Sequence, residues 1–521
     1  MWRAEGRRAW LSALQEPGGS ISTAAAAAAA AVAPQLRLPA SALTAAVPLA
    51  GDEIDCWACF LHRVGVELRA ALVHLPGVAP PFPPRLCAND GGFSRQTFLE
   101  RIPAILEETL ASNPSAPPAF AAAVRAELVA PLRAGALLSL PPPPVEGVED
   151  VNVEGEPAWG DKAFSQANPF TVSSFWWQEN AVYRHLMHLW LLHGGAHSDP
   201  FALQKEQALA AAAEPFRATV APLLGDGPPD GETIHALLMR SLWGNRADLS
   251  LSAGKVVAVE GAAAGAELLS DDVAAAVQVL LAREPGRVPL VGIVLDNCGL
   301  ELLSDLALVD ALLRGGAHVA LHAKRWPTFV SDATPYDVER HVAATGELGR
   351  LTAALRAGTL TVASHAFYNS PAAFWEMPRA LRDEMRAWNL AIVKGDANYR
   401  RILGCRHWPH DLPFQVLVGG FVPCPLLALR TCKAGLVVGV APEREREAAG
   451  RRPGDWLTCG VFGVAQLAVP TRISNGTADD AGQSLGAVDF SIDFLKPYIA
   501  PPPAEALARA EAAANHPPLP R

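Results

Sequence analysis

The sequence predicts an α/β fold, a mostly parallel sheet with helices on both faces, preceded by a helical amino-terminal part. Two observations carry this. The run VPLVGIVL at 288–295 is continuously apolar, as a strand buried on both faces must be. After it, short apolar segments alternate with stretches of helical periodicity, the signature of a parallel sheet with crossover helices.

Residues 1–80 read as a low-complexity extension. Arg3, Arg7 and Arg8 come early, an alanine run spans Ala24 to Ala31, and acidic residues are few. An organellar transit peptide and a tail are the alternatives, and Asp52 to Leu75 carries helical spacing. A mainly helical part is expected over 81–284. RIPAIL at 101–106 opens one helix, and Phe175, Trp176, Trp177, Tyr183 and Trp190 recur at core spacing along another. Pro141 to Pro144 mark a linker. The α/β part is expected over 285–500, with strands at Val288–Leu295, His318–Ala323, Leu360–Ala363, Leu390–Val393 and Leu436–Val440, and a disordered tail over 501–521.

The 521 residues are half hydrophobic, enough for a large core, with a net charge of −10. No strongly basic stretch argues for duplex nucleic acid, and no run of apolar residues reads as a membrane span. Cys56 and Cys59 form one CxxC without the second pair a zinc site needs. Reduced thiols and a cytoplasmic location are the default, with an organelle as the alternative.

In parallel sheets ligands gather at the carboxyl ends of strands. Asp296 and Asn297 directly follow the first strand, with Gly299 and Glu301 after them. Both side chains are oxygen donors for a hard cation such as Mg²⁺ or Mn²⁺; a helix cap is the alternative for Asp296. Asp332 lies beyond the second strand, just before Thr334 and Pro335. It either caps a helix or meets the same cation. Lys394, Gly395, Asp396, Ala397, Asn398, Tyr399, Arg400 and Arg401 place polar donors at a helix start, which suits an anion. Arg430, Thr431, Cys432 and Lys433 offer either a second phosphate clamp or a solvated strand edge.

These motifs, taken together, resemble the damage-control phosphatases with the Arg-Thr-x-Lys signature, also described as acidic-residue (protein-glutamate) methyltransferase-like proteins. The matching segments are Phe93 with Thr97, RIPAIL (101–106), SLWGNRADLSLSAG (241–254), LDNCGLELLSDL (295–306), FVSDAT (329–334), KGDANYRRILG (394–404), RTCK (430–433) and GDWLTCGVFGVAQL (454–467). The resemblance implies a three-layer α/β/α part behind a helical one. It implies a divalent metal (Mn²⁺ or Mg²⁺, with Ni²⁺ and Co²⁺ as further candidates) on Asp296, Asn297 and Asp332. Substrate contacts would be Asp296, Asn297, Asp396, Ala397, Asn398, Tyr399, Arg400 and Lys433, with Asp296, Asp332 and Asp396 as the carboxylates of the chemistry. Small phosphorylated metabolites, sugar phosphates such as fructose 1-phosphate among them, are the implied substrates. A reported S-adenosylmethionine site would fall on Glu301 and Asp332, with carboxyl methyl transfer as the alternative activity. The pattern Asp-x-Asp-x-Thr of phosphoaspartate enzymes is absent, since the chain reads Asp296-Asn297-Cys298-Gly299-Leu300.

Overall fold

An uncharged apolar run is stable only where both of its faces are covered, and Leu290–Val294 (β2) takes that place in the middle of a sheet. The computed structural model describes residues 93–135, 175–193, 199–244 and 267–470, with the backbone of two short strands, Ser474–Ala478 and Ser484–Gly486. The amino-terminal extension, the Cys56–Cys59 motif, the 52–75 segment, Pro141 to Pro144, Asn245, Asp248 and the 501–521 tail lie outside the described residues.

Among the described residues seven strands form one sheet: β1 (Leu268–Asp271), β2, β3 (His318–Ala323), β4 (Leu360–Ser364), β5 (Leu390–Lys394), β6 (Leu426–Thr431) and β7 (Gly463–Ala468). Their order is β1-β7-β6-β5-β2-β3-β4. The pairs from β6 through β5, β2 and β3 to β4 are parallel, β7 runs antiparallel to β6, and β1 is parallel to β7. The chain leaves β2 for β3 and β4, then returns to the other side of β2 as β5. The order therefore reverses between β2 and β5, and the crevice beyond their carboxyl ends is where such a sheet binds ligands.

Helices cover the sheet. Leu300–Arg314 follows β2 and is buried along nearly its whole length, packed against Gly231–Gly244 and Ala202–Thr219. Its polar side chains are paired: Asp310 accepts from Arg314 at 2.9 Å, and Asp305 from Ser241 at 2.5 Å. In β2 itself Gly292 leaves room for the Trp388 ring, which a β-carbon would meet at 1.9 Å. The two expected amino-terminal helices form at Ile102–Ser112, with Pro103 in its first turn, and at Phe175–Leu192.

Two expectations are corrected. Leu436–Val440 is not a strand. The strand that follows β5 is instead β6, whose end carries Arg430 and Thr431. The backbone groups of Leu436–Val440 find partners other than a strand ladder: Arg430 takes the Leu436 carbonyl (2.5 Å), the Tyr399 hydroxyl and Gln466 take the N–H and carbonyl of Val438, and Gly439 and Val440 donate to the carbonyls of Leu412 and His410. The sheet also takes in residues before 285, the expected start of the α/β part, since β1 and the helix Val273–Leu281 precede it. Pro84–Pro470 is one compact unit. Outside it, the two short strands Ser474–Ala478 and Ser484–Gly486 pair antiparallel. Among the described residues no helix is long and apolar enough to cross a membrane.

Candidate active site

Four adjacent parallel strands, β6, β5, β2 and β3, end at the same edge. After β2 come Asp296 and Asn297. The loop after β3 returns alongside them: Asn297 and Asp332 form a bridge, Cys298 N donates to Ser331 O at 2.7 Å, and Ala333 N to Asp296 O at 2.8 Å. Neither acid is a cap. The helix from Leu300 begins after Gly299 with no side-chain cap, and the helix Pro335–Ala344 is capped by Thr334 with Asp337. Each acid is buried.

Lys324, at the end of β3, sits between them. Its ammonium lies 2.5 Å from Asp332 Oδ1 and 3.7 Å from Asp296 Oδ1. The other oxygen of Asp332 accepts the backbone N–H groups of Thr328 (3.0 Å) and Phe329 (2.9 Å), which aims the first oxygen at the centre. Two carboxylates from separate loops therefore reach one positive group. This donor set suits a hard divalent cation, with Asn297 as the third oxygen-bearing side chain. Among the described residues no group of three or more His, Cys, Asp and Glu side chains could hold a metal. Asn297 lies beside the two carboxylates, its Nδ2 donating to Asp296 Oδ2 at 2.8 Å.

Asp296 also packs against the turn that follows β5. Gly395 has φ +83°, and a β-carbon there would fall 1.8 Å from Asp296 Oδ2. Gly395 opens the helix Gly395–Ile402. In that segment the residues are brought together, but most donors serve the protein. Asn398 Nδ2 binds the carbonyls of Leu295 (3.0 Å) and Lys394 (2.9 Å), tying the ends of β2 and β5. The Tyr399 hydroxyl donates to Gln466 at 2.8 Å. Arg400 lies between the rings of Phe175 and Trp176, each 4.6 Å from its guanidinium carbon, and pairs with Glu179 at 2.6 Å. Lys394 points into the interior, to Glu301 (2.8 Å), Asp305 (3.2 Å) and the Ser241 carbonyl (2.8 Å). Burial pushes the Asp305 carboxyl up to about 7, Lys394 pulls against it and Glu301 adds to it.

Asp396 Oδ1 accepts from Arg430 Nε at 2.8 Å and from Lys433 N at 3.1 Å, so it joins the end of β5 to the turn after β6. Burial would raise this carboxyl, but the charges of Arg430 and Arg400 outweigh it and hold it below the usual range. Arg430 is fully buried and its donors are spent on Asp396 and two carbonyls, so it is a strut rather than a phosphate clamp. Arg430→Met is expected to leave Asp396 buried without its partner. The expected cost is about 3–5 kcal/mol, read as a shifted urea midpoint; a midpoint within error of the parent contradicts the strut.

The loop after β2 is held from behind by His341. Its Nε2 accepts the Gly299 N–H at 2.8 Å, and its Nδ1 donates to the Asp337 carbonyl at 2.7 Å, which requires the neutral ring. Burial lowers its pKa to about 4, against the raising influence of Asp337 and Glu206, while Lys205 lowers it further. The unfolded chain takes up this proton near pH 6.5, the folded one only near 4. The stability from the neutral ring is therefore whole above about pH 6.5 and drains away toward pH 4, by roughly 3 kcal/mol. Denaturation of the parent and His341→Gln across this range is expected to show their difference shrinking as pH falls. A constant difference contradicts the assignment.

Glu301 is 1 % exposed, with one oxygen on Lys394 and the other on Asn297 at 2.9 Å, so neither faces a ribose. The residues that sequence reasoning left without a role are Lys324, Glu179, Ser331 and Asp305. Lys324 alone had a signal, a cation directly after a predicted strand, with Arg325 beside it.

Fold and site together define an α/β protein with an acidic, oxygen-rich centre at the switch point of a parallel sheet. The profile described as the damage-control phosphatase ARMT1-like domain matches residues 54–448, and the chain belongs to that family. Among curated relatives, the damage-control phosphatase ARMT1 of Danio rerio is 33% identical over 266 residues, covering 46% of this chain and 59% of that protein. The Mus musculus protein is 33% identical over 262 residues, 45% of this chain and 58% of its own. The chain thus spans little more than half the length of these relatives. A solved DUF89 family protein from Pyrococcus horikoshii aligns over 57% of this chain and 84% of its own, with 16% identity and a TM-score of 0.34.

Proposed function

We propose that the chain is a metal-dependent phosphatase of small phosphorylated metabolites, sugar phosphates such as fructose 1-phosphate among them. The observation that carries this is the convergence of Asp296 and Asp332, from two loops, on one positive centre at the sheet's switch point. Asp296, Asn297 and Asp332 would hold a divalent cation, which polarises a phosphate oxygen and offsets the charge developing on it. The chain's own residues do the rest. Asp396 fixes the backbone of Lys433 beside the first turn of the helix Gly395–Ile402, so that a cation and the helix amino terminus meet a phosphate from one side. Glu179 and the two aromatic rings hold Arg400 under that turn. A carboxylate of Asp296 or Asp396 takes the proton of the attacking water. The methyl-transfer alternative needs Glu301 against a ribose, and its two oxygens are engaged elsewhere.

A screen of phosphorylated metabolites with Mn²⁺, Mg²⁺, Co²⁺ or Ni²⁺ tests the proposal. Phosphate release from sugar phosphates, abolished by a chelator and restored by the metal, is expected. No release from any compound with any of the four metals contradicts it.

A further inference from the structure

Asn297 stands among three polar partners whose chemistry decides which way its amide faces. Its Nδ2 donates to Asp296 Oδ2 at 2.8 Å and to Glu301 Oε2 at 2.9 Å, and its Oδ1 accepts from Ser331 Oγ at 2.7 Å. The two ends of a carboxamide are alike in shape and differ only in chemistry. An oxygen placed between two carboxylate oxygens would meet only anions, so that end must be the NH₂. The carbonyl oxygen therefore lies on the side of Ser331, the residue before Asp332.

Glu301 is itself held rigidly. Its Oε1 accepts from Lys394 at 2.8 Å; Lys394 is also bound by Asp305 at 3.2 Å and by the Ser241 carbonyl at 2.8 Å. The helix Gly231–Gly244 closes over its backbone, since a β-carbon on Gly244 would come 2.8 Å from the Glu301 α-carbon. A buried carboxylate with both oxygens committed and its backbone pressed by a neighbouring helix is a fixed reference point.

We propose that Glu301 is a positioning residue, which fixes the Asn297 amide so that its oxygen, and not its NH₂, is presented beside Asp332 to a divalent cation. This rests on the metal-dependent reading above. Groups behind a metal ligand orient it, and their loss commonly costs about 10–100-fold in affinity. Glu301 then acts through Asn297 without touching substrate or cation.

The test is Glu301→Gln, read by calorimetric titration of Mn²⁺ into the metal-stripped full chain. Lys394 can only donate, so the glutamine oxygen turns to it and the glutamine NH₂ faces Asn297, whose amide must turn over. Mn²⁺ affinity is expected to fall by about tenfold or more. Adding Asn297→Asp to the same variant is expected to restore it, because a carboxylate offers oxygen at both ends. Wild-type affinity in Glu301→Gln overturns the positioning role and leaves the phosphatase reading standing. Loss that Asn297→Asp does not restore also overturns the role, since it marks Glu301 as merely structural. A parent chain that binds no Mn²⁺ overturns both. Melting of the metal-free variants reports folding; should Glu301→Gln not fold, Ser331→Ala probes the same amide from its other end. Weakened Mn²⁺ binding is then expected, and unchanged binding overturns the proposal.

Discussion

Asp296→Asn is expected to abolish phosphate release, by about a thousandfold or more, while the chain stays folded. The substitution keeps volume and shape, and Asp332 remains 2.5 Å from Lys324 to balance its charge. What it removes is one of the two negative charges that converge on the centre. A cation held there by one carboxylate in place of two binds less tightly and sits less firmly against a phosphate. Several kcal/mol of transition-state stabilisation are at stake in such centres, and about 4 kcal/mol is a thousandfold. The check is kcat on the best substrate of the screen at saturating Mn²⁺, with the melting temperature measured alongside. Turnover within tenfold of the parent contradicts the role of Asp296.

Gly395→Ala is expected to have the second-largest effect, although it adds a single methyl group. The new β-carbon would lie 1.8 Å from Asp296 Oδ2 and 2.1 Å from its Cγ, so the carboxylate must leave its place or the turn must open. The positive φ of +83° adds strain of about 1 kcal/mol to the overpacking cost of about 1–3 kcal/mol. Turnover is expected to fall by about a hundredfold, in keeping with the price of a displaced catalytic group. Gly358→Ala provides the comparison. It has φ +73° in the turn after the helix Arg350–Ala357, and its β-carbon would meet nothing within 4 Å. It should lose about 1 kcal/mol of stability from backbone strain alone and keep full turnover. Equal turnover in the two variants contradicts the packing of Asp296 on Gly395.

The parts of this architecture that were legible in the chain are those set by local pattern. The strands β2, β3 and β5 declare themselves as short apolar runs, and Asp296, Asn297 and Asp332 stand out as acids and amides at their ends. Burial and partnership were not legible. Lys394, Arg400 and Arg430 look like phosphate donors because a sequence displays a charge without its counter-ion. Each is in fact paired: Lys394 with Glu301, Arg430 with Asp396, and Arg400 with Glu179, a residue 221 positions away. Lys324 gave the opposite error, an ordinary lysine beyond a strand that proves to stand between the two acids. The apolar run at Leu436–Val440 imitates a strand, but its backbone groups are taken one by one by Arg430, Tyr399, Gln466 and the carbonyls of Leu412 and His410, partners that periodicity does not display. Periodicity reports which face of an element is apolar. It does not report which polar groups will be closed inside.

One divalent cation is expected where Asp296, Asn297 and Asp332 meet. A crystal of the chain soaked in Mn²⁺, with diffraction recorded for the anomalous signal of manganese, tests it most directly. One anomalous peak in contact with oxygens of all three side chains is the predicted result. Well-ordered side chains with no peak among them, or a peak bound elsewhere in the chain, would contradict it.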